Sequence, residues 1–273
     1  MPFQLDQPMR IGVQIAPQHA EYTTIRDTVL RLEDLGVDVA FNWDHFFPLS
    51  GARDGLHFEG WTMLAAWAEQ TERIQFGPLV TCNSYRNPDL LADMARTVDH
   101  ISAKGGPGGS PGQGRLIFGI GSGWARRDYD EYGYDFGTVG SRLDDLAEAM
   151  PRIRNRWDRL NPAPTRRIPV LIGGGGERKT LRIVAEHADV WHSFSDAGGL
   201  RHKLGVLEGW CERVGRDPAE ITISVEPDRG DGPDVYDELH GLGARLFTTQ
   251  ISAPHYDWDR VHRMLAWRDA VNG

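Results

Sequence analysis

The sequence predicts an α/β fold: a closed (β/α)8 TIM barrel forming a single domain over residues 1–273. Three observations carry that prediction. Short β-branched runs alternate with longer stretches of helical period from one end of the chain to the other. The alternation is unbroken, which implies a parallel sheet with crossover helices. It also yields eight strand–helix units, the number that closes a barrel. The rival is an open doubly wound sheet, which usually has fewer strands in this length.

Residues 10–16 ("RIGVQIA") read as the first strand, and 21–36 as an amphipathic helix stopped at Gly36. The second strand is 37–43, with a helix near 60–71. The third is 73–81, followed by a helix over 88–102. The fourth is 115–121, with its helix at 141–157. Residues 168–173 form the fifth, whose helix begins near Glu177. The sixth is 188–194, with a helix over 200–215. The seventh is 220–225, followed by a short helix near 233–241. The eighth is 244–251, and a helix over 257–271 closes the chain. "AKGGPGGSPGQG" (103–114) has nothing to bury and reads as a mobile surface loop, on the barrel face away from chemistry.

Composition narrows the class. The chain has 40% hydrophobic and 25% charged residues, an ordinary globular balance. Its formal net charge of −9 argues against nucleic acid or an anionic membrane as the main partner. Cys82 and Cys211 are the only cysteines and lie outside any CxxC, so no disulfide framework or cysteine zinc site is expected. A reducing cytoplasm is the default compartment. No apolar stretch reaches membrane-spanning length, and the opening residues lack the order of a signal peptide. The ten histidines show no HExxH spacing, so no metal site is expected.

A barrel collects its functional groups at the carboxyl ends of its strands. The fifth strand runs into Gly173–Gly176, then Arg178 and Lys179. Glycines let backbone approach a ligand, and the N–H groups of a following helix carry partial positive charge. A tight turn would need one or two glycines; four with two cations point to an anion, such as a phosphate. The second strand ends in "NWDHFFPL", which sets Asp44 and His45 among aromatic side chains. A histidine there exchanges a proton or is simply satisfied by a backbone carbonyl. The third ends in "GPLVTC", where Pro78 suggests a bulge against a flat ligand or plain strand-end irregularity. The fourth ends in "GIGSGW", a small-residue turn with Trp124 as a wall; it fails the GxSxG elbow because Ile120 stands at the first glycine.

Taken together, "DHFFPL", "GPLVTCNSYRNPDLLADMARTVDHIS", "RLIFGIGSGW" and "PVLIGGGGERKTLRIVAEHADVWH" resemble the luciferase-like monooxygenase superfamily, most closely its coenzyme F420-dependent oxidoreductases. The resemblance covers most of residues 10–192. It implies a barrel holding coenzyme F420, or alternatively FMN, at its carboxyl face, usually in a homodimer. The implied reaction is hydride transfer with a small organic substrate. The implied proton donor is His45, with Asp44 close to the cofactor. A non-proline cis peptide and bulge behind the ring would involve Leu79, Val80 and Thr81. The turn Gly121, Ser122, Gly123 with Trp124 would contact the cofactor, and Gly174, Gly175, Gly176, Arg178 and Lys179 would seat its phosphate. Some members carry a catalytic Glu where Trp124 stands, and sugar-phosphate-oxidising members carry a Trp where Leu49 stands. A luciferase-type FMN monooxygenase and a non-catalytic cofactor carrier are the rival readings.

Overall fold

The computed structural model describes residues 7–104, 112–194 and 196–273. The core of the Gly/Pro-rich segment, residues 105–111, therefore lies outside the described residues. Strands and helices alternate as β1 (Arg10–Ile15), α1 (Tyr22–Asp34), β2 (Val39–Asn42), α2 (Gly60–Gln70), β3 (Gln75–Pro78), β4 (Thr81–Cys82), α3 (Pro88–Ser102) and β5 (Phe118–Gly121). There follow α4 (Arg126–Tyr132), α5 (Val139–Arg159), β6 (Val170–Gly173), α6 (Thr180–His187), β7 (Val190–Ser193), α7 (Ala197–Val214), β8 (Thr222–Val225), α8 (Pro233–Gly241), β9 (Ala244–Ile251) and α9 (Trp258–Asn272).

The strands form one parallel sheet in the order β3-β2-β1-β9-β8-β7-β6-β5-β4. β3 and β4 are two pieces of the predicted third strand, which breaks after Pro78. The lower piece pairs with β2 (Asn42 opposite Pro78) and the upper with β5 (Thr81 opposite Ile120). A parallel bridge between Phe76 and Leu116 joins the lower piece to the chain entering β5, so the two ends of the sheet meet. The broken strand thus acts as the eighth stave of a barrel.

Side-chain alternation divides the core in two. In β1, Ile11, Val13 and Ile15 face outward against the helices, fully buried, while Gly12 and Gln14 face inward. The interior is closed by a small apolar cluster of Val39, Phe41, Leu79, Ile117, Leu171, Val190 and Leu246. Gly12 is small because the Phe41 ring fills its space: a Cβ there would lie 2.9 Å from that ring. Helix ends follow local chemistry. The Asn87 side chain caps α3 ahead of Pro88, Thr138 and Ser141 form a capping box on α5, and α7 stops at Gly215 with φ +70°.

Two elements differ from the expectation. The helix after the fifth strand starts at Thr180 rather than near Glu177, because the Leu181 N–H reaches back to Gly176 O at 2.9 Å and holds 177–179 in a wide turn. A helix, α4, also forms at 126–132, between the predicted fourth strand and the predicted helix at 141–157.

Candidate active site

A cavity of about 250 Å³ opens at the carboxyl rim of the barrel. Five strand ends supply its walls. Asp44 and His45 follow β2, Leu79 to Cys82 span the break into β4, and Gly121 to Trp124 follow β5. Gly173 and Gly174 come from the end of β6, and His192 and Phe194 from β7.

The floor is set by Val80. The Leu79–Val80 peptide is cis, and the Gln14 side chain donates to Leu79 O at 2.6 Å. Val80 lies against two glycines: a Cβ at Gly121 would stand 2.8 Å from Val80 Cγ2, and one at Gly173 3.3 Å from Val80 Cγ1. At Gly119 a Cβ would run into Pro78 O. Glycines on β5 and β6 therefore make room for the broken strand and leave a smooth surface above it.

His45 is oriented by a residue from α4. Its Nδ1 lies 2.6 Å from Asp128 Oδ2, with both side chains nearly buried. The Phe46 N–H and the Tyr85 hydroxyl also donate to this carboxylate, at 3.2 and 3.0 Å. Burial pushes the Asp128 carboxyl up, but the hydrogen bond and charge of His45 and the Phe46 and Tyr85 donors outweigh it and hold Asp128 below the ordinary carboxylate range. An ionised carboxylate only accepts, so the proton between them sits on Nδ1 and leaves Nε2 to exchange one. The Phe46 ring stacks on Tyr132 at 4.0 Å, one turn along α4 from Asp128, which fixes helix and histidine together.

Asp44 has a different task. It is buried and accepts from Thr81 Oγ1 (2.5 Å), Cys82 N (3.1 Å) and both terminal nitrogens of Arg86 (2.6 and 3.0 Å). Arg86 also binds Glu59, whose side chain caps α2 through Trp61 N and Thr62 N. Trp61 Nε1 donates to Thr81 Oγ1 at 2.9 Å. This buried network ties the β2 end to the β4 start; the bidentate pair gives it a fixed geometry.

The opposite wall carries His192, fully buried. Its Nδ1 meets Ser224 Oγ at 2.9 Å, and its Nε2 is buried without a partner among the described residues. Burial pushes this imidazole down to about 3, so it stays neutral. The turn after β6 is pinned from both sides: Gly174, with φ +113°, donates to His192 O at 3.2 Å, and Trp191 Nε1 donates to Gly174 O at 2.8 Å.

The structure brings together Asp44, His45, Leu79, Val80, Thr81, Gly121, Ser122, Gly123, Trp124 and Gly174 from the predicted set. Gly175, Gly176, Arg178 and Lys179 lie outside the cavity, on the rim beside it. There Lys179 Nζ donates to Asp144 Oδ1 (2.6 Å) and Gly140 O (3.1 Å), and Lys203 of α7 donates to Gly175 O at 2.8 Å. Sequence reasoning missed Asp128, Arg86, His192 and Phe194. The first had a signal: in "ARRDYDEYG" Asp128 and Tyr132 are four apart and share one helical face. Among the described residues no group of His, Cys, Asp and Glu could hold a metal ion, and no helix is long and apolar enough to cross a membrane.

A parallel barrel with a glycine-floored cavity and a histidine–carboxylate pair at its carboxyl rim defines an α/β-barrel of ligand-binding type. The chain belongs to the luciferase-like monooxygenase family, which it matches over residues 1–228. It is 26% identical over 199 residues to an F420-dependent glucose-6-phosphate dehydrogenase of Amycolatopsis mediterranei, a match covering 66% of this chain and 54% of that one. It is 25% identical over 183 residues to an uncharacterised protein of Mycobacterium tuberculosis, covering 61% of each. These matches thus span between half and two thirds of the curated relatives' length. A solved F420-dependent secondary alcohol dehydrogenase, in complex with an F420–acetone adduct, shares the fold with a TM-score of 0.77 at 15% identity, covering 92% of this chain and 96% of that one.

Proposed function

We propose that the protein is an F420-dependent oxidoreductase that transfers a hydride between the deazaflavin and a small organic substrate. The observation that carries this reading is the convergence at one rim of His45 on Asp128, the Val80 floor between glycines, and the turn after β6. The F420-dependent activity named for the Amycolatopsis relative supports the choice of cofactor.

The residues fit such a group. The floor offers a flat surface that side chains at Gly121 and Gly173 would obstruct. The cavity is slightly smaller than the roughly 300 Å³ at which whole-ligand pockets begin. It suits a ring system, with the anionic tail left to the rim at Gly174–Gly176 near Arg178, Lys179 and Lys203. Bound there, the cofactor supplies or accepts the hydride. The protein does the rest. Val80 and the glycines would support one face of the ring, leaving the other for substrate. Asp128 holds His45 in one tautomer, and His45 Nε2 delivers the proton that accompanies reduction, or removes it in the reverse direction.

Separate titrations of the pure protein with F420 and FMN, followed by fluorescence, test this reading. The expected result is saturable F420 binding with FMN at least about tenfold weaker, a difference of about 1.4 kcal/mol. Preference for FMN would replace this reading with a luciferase-type monooxygenase.

A further inference from the structure

The cavity contains a second histidine–aromatic pair that proton transfer to or from His45 does not use. Phe194, 69% exposed, stands edge-on to His192 with ring centroids 4.6 Å apart. On the β2 side Trp124, 65% exposed, stands edge-on to His45 at 5.4 Å. Large aromatic rings left this exposed beside a cavity mark a binding surface, and their faces take flat apolar partners.

Charge further limits the partner. Phe194 also borders a second hollow of about 360 Å³, lined by Asp196, Glu226, Asp228, Asp231 and Glu238. Among the described residues no Lys or Arg lines either hollow. Arg201 pairs Glu238 at 3.7 Å, and Arg260 and Arg229 act on Glu226 from outside the lining. Five carboxylates still outnumber the three cations near them, so an anion entering past Phe194 meets net like charge and no lining cation.

We propose, building on the F420 reading above, that the substrate is an uncharged planar organic molecule carrying a carbonyl or hydroxyl group. Its flat face lies against Trp124 and Phe194, its oxygen bonds Nε2 of His192, and phosphorylated substrates are refused. The Ser224 hydroxyl can donate to His192 Nδ1 or accept from it, so Nε2 can either donate to a carbonyl or accept from a hydroxyl. A neutral imidazole does this without ion-pairing an anion, and an unpaired buried nitrogen is costly until a ligand satisfies it.

The test uses the full chain loaded with F420 and two probes: menadione, a neutral naphthoquinone, and glucose 6-phosphate. Binding is read from fluorescence quenching, and turnover from oxidation of reduced F420. In turnover the quinone gains one hydride from the cofactor and one proton from His45, and a second proton transfer from solvent to give or remove charge is not needed, since hydride plus proton yields the hydroquinone. Menadione is expected to bind and be reduced, and glucose 6-phosphate to do neither. Phe194→Ala is expected to weaken menadione binding about tenfold, with F420 affinity within about twofold and an unchanged melting temperature, since an exposed ring leaves no core cavity. His192→Leu is expected to weaken it comparably, and His192→Gln, which keeps a hydrogen-bonding group, to recover part of the loss. Tighter binding of glucose 6-phosphate than of menadione, or unchanged menadione binding in Phe194→Ala, overturns the inference. If wild type fails to bind F420, the underlying reading falls, and menadione binding to the unloaded chain and its Phe194→Ala variant still decides the ligand class.

Discussion

His45 and His192 line the same cavity, yet their surroundings prepare them for opposite work. His45 faces an ionised carboxylate, Asp128, that three donors hold in place. Among the described residues His192 has a hydroxyl, Ser224, as its hydrogen-bonding partner, and full burial keeps its ring neutral. A carboxylate partner stabilises the imidazolium and fixes the tautomer, which is what proton exchange requires. A hydroxyl partner leaves a neutral ring able to form one more hydrogen bond. The difference lies in the partner that each strand end meets, not in the residue type: α4 brings a carboxylate to β2, while β8 brings a serine to β7.

Removing His45, the proposed proton carrier, is expected to have the largest effect. His45→Ala should lower kcat by about 10²–10⁴-fold, the usual range for a positioned acid or base, while F420 affinity is retained. Steady-state kinetics beside a binding titration checks this, and unchanged turnover would take His45 out of the mechanism. The next effect comes from making the two histidines alike. Asp128→Asn replaces the acceptor-only carboxylate with an amide, leaving the His45 tautomer unfixed, and should lower kcat about 10-fold to 100-fold. Its signature is a shifted pH–rate profile, which a merely structural residue would not move.

The smallest effect concerns the neutral member. Four imidazoles are depressed chiefly by burial below an ordinary 6.5: His240, and more strongly His57 to about 4, His187 to about 4 and His192 to about 3. Below pH 6.5 the unfolded chain takes up protons that these folded groups refuse, so unfolding is favoured as pH falls. Their stability contribution is complete above 6.5 and declines down to about 4, and only His192 extends the loss to about 3. Urea melts between pH 7 and pH 4 should show a falling midpoint, with His192→Gln shallower at the acid end; a flat midpoint would count against neutral burial.

The barrel was legible because its signals are local and repeated. β1 shows its outward apolar triplet, and α3 its Asn–Pro start. The glycine turns were legible for the same reason. Asp128 was not: a seven-residue helix carries too short a period to see, and its burial depends on the Phe46–Tyr132 stack, more than eighty positions apart in sequence. His192 lay hidden within an apolar strand, since sequence does not reveal that Nε2 lacks a partner. The break in the third strand was half visible in Pro78, but its consequence was not, since the glycines that admit Val80 sit on β5 and β6.

The central claim is that the surface above Val80 seats the deazaflavin ring, and Gly121→Val tests it most directly. The new side chain would start 2.8 Å from Val80 Cγ2 and project over the floor. F420 titration of wild type and Gly121→Val, with circular dichroism and the milder Gly121→Ala as controls on folding, should show affinity falling about 100-fold or more in the folded valine variant, equivalent to about 2.7 kcal/mol. A folded Gly121→Val protein that binds F420 as tightly as wild type would contradict the account.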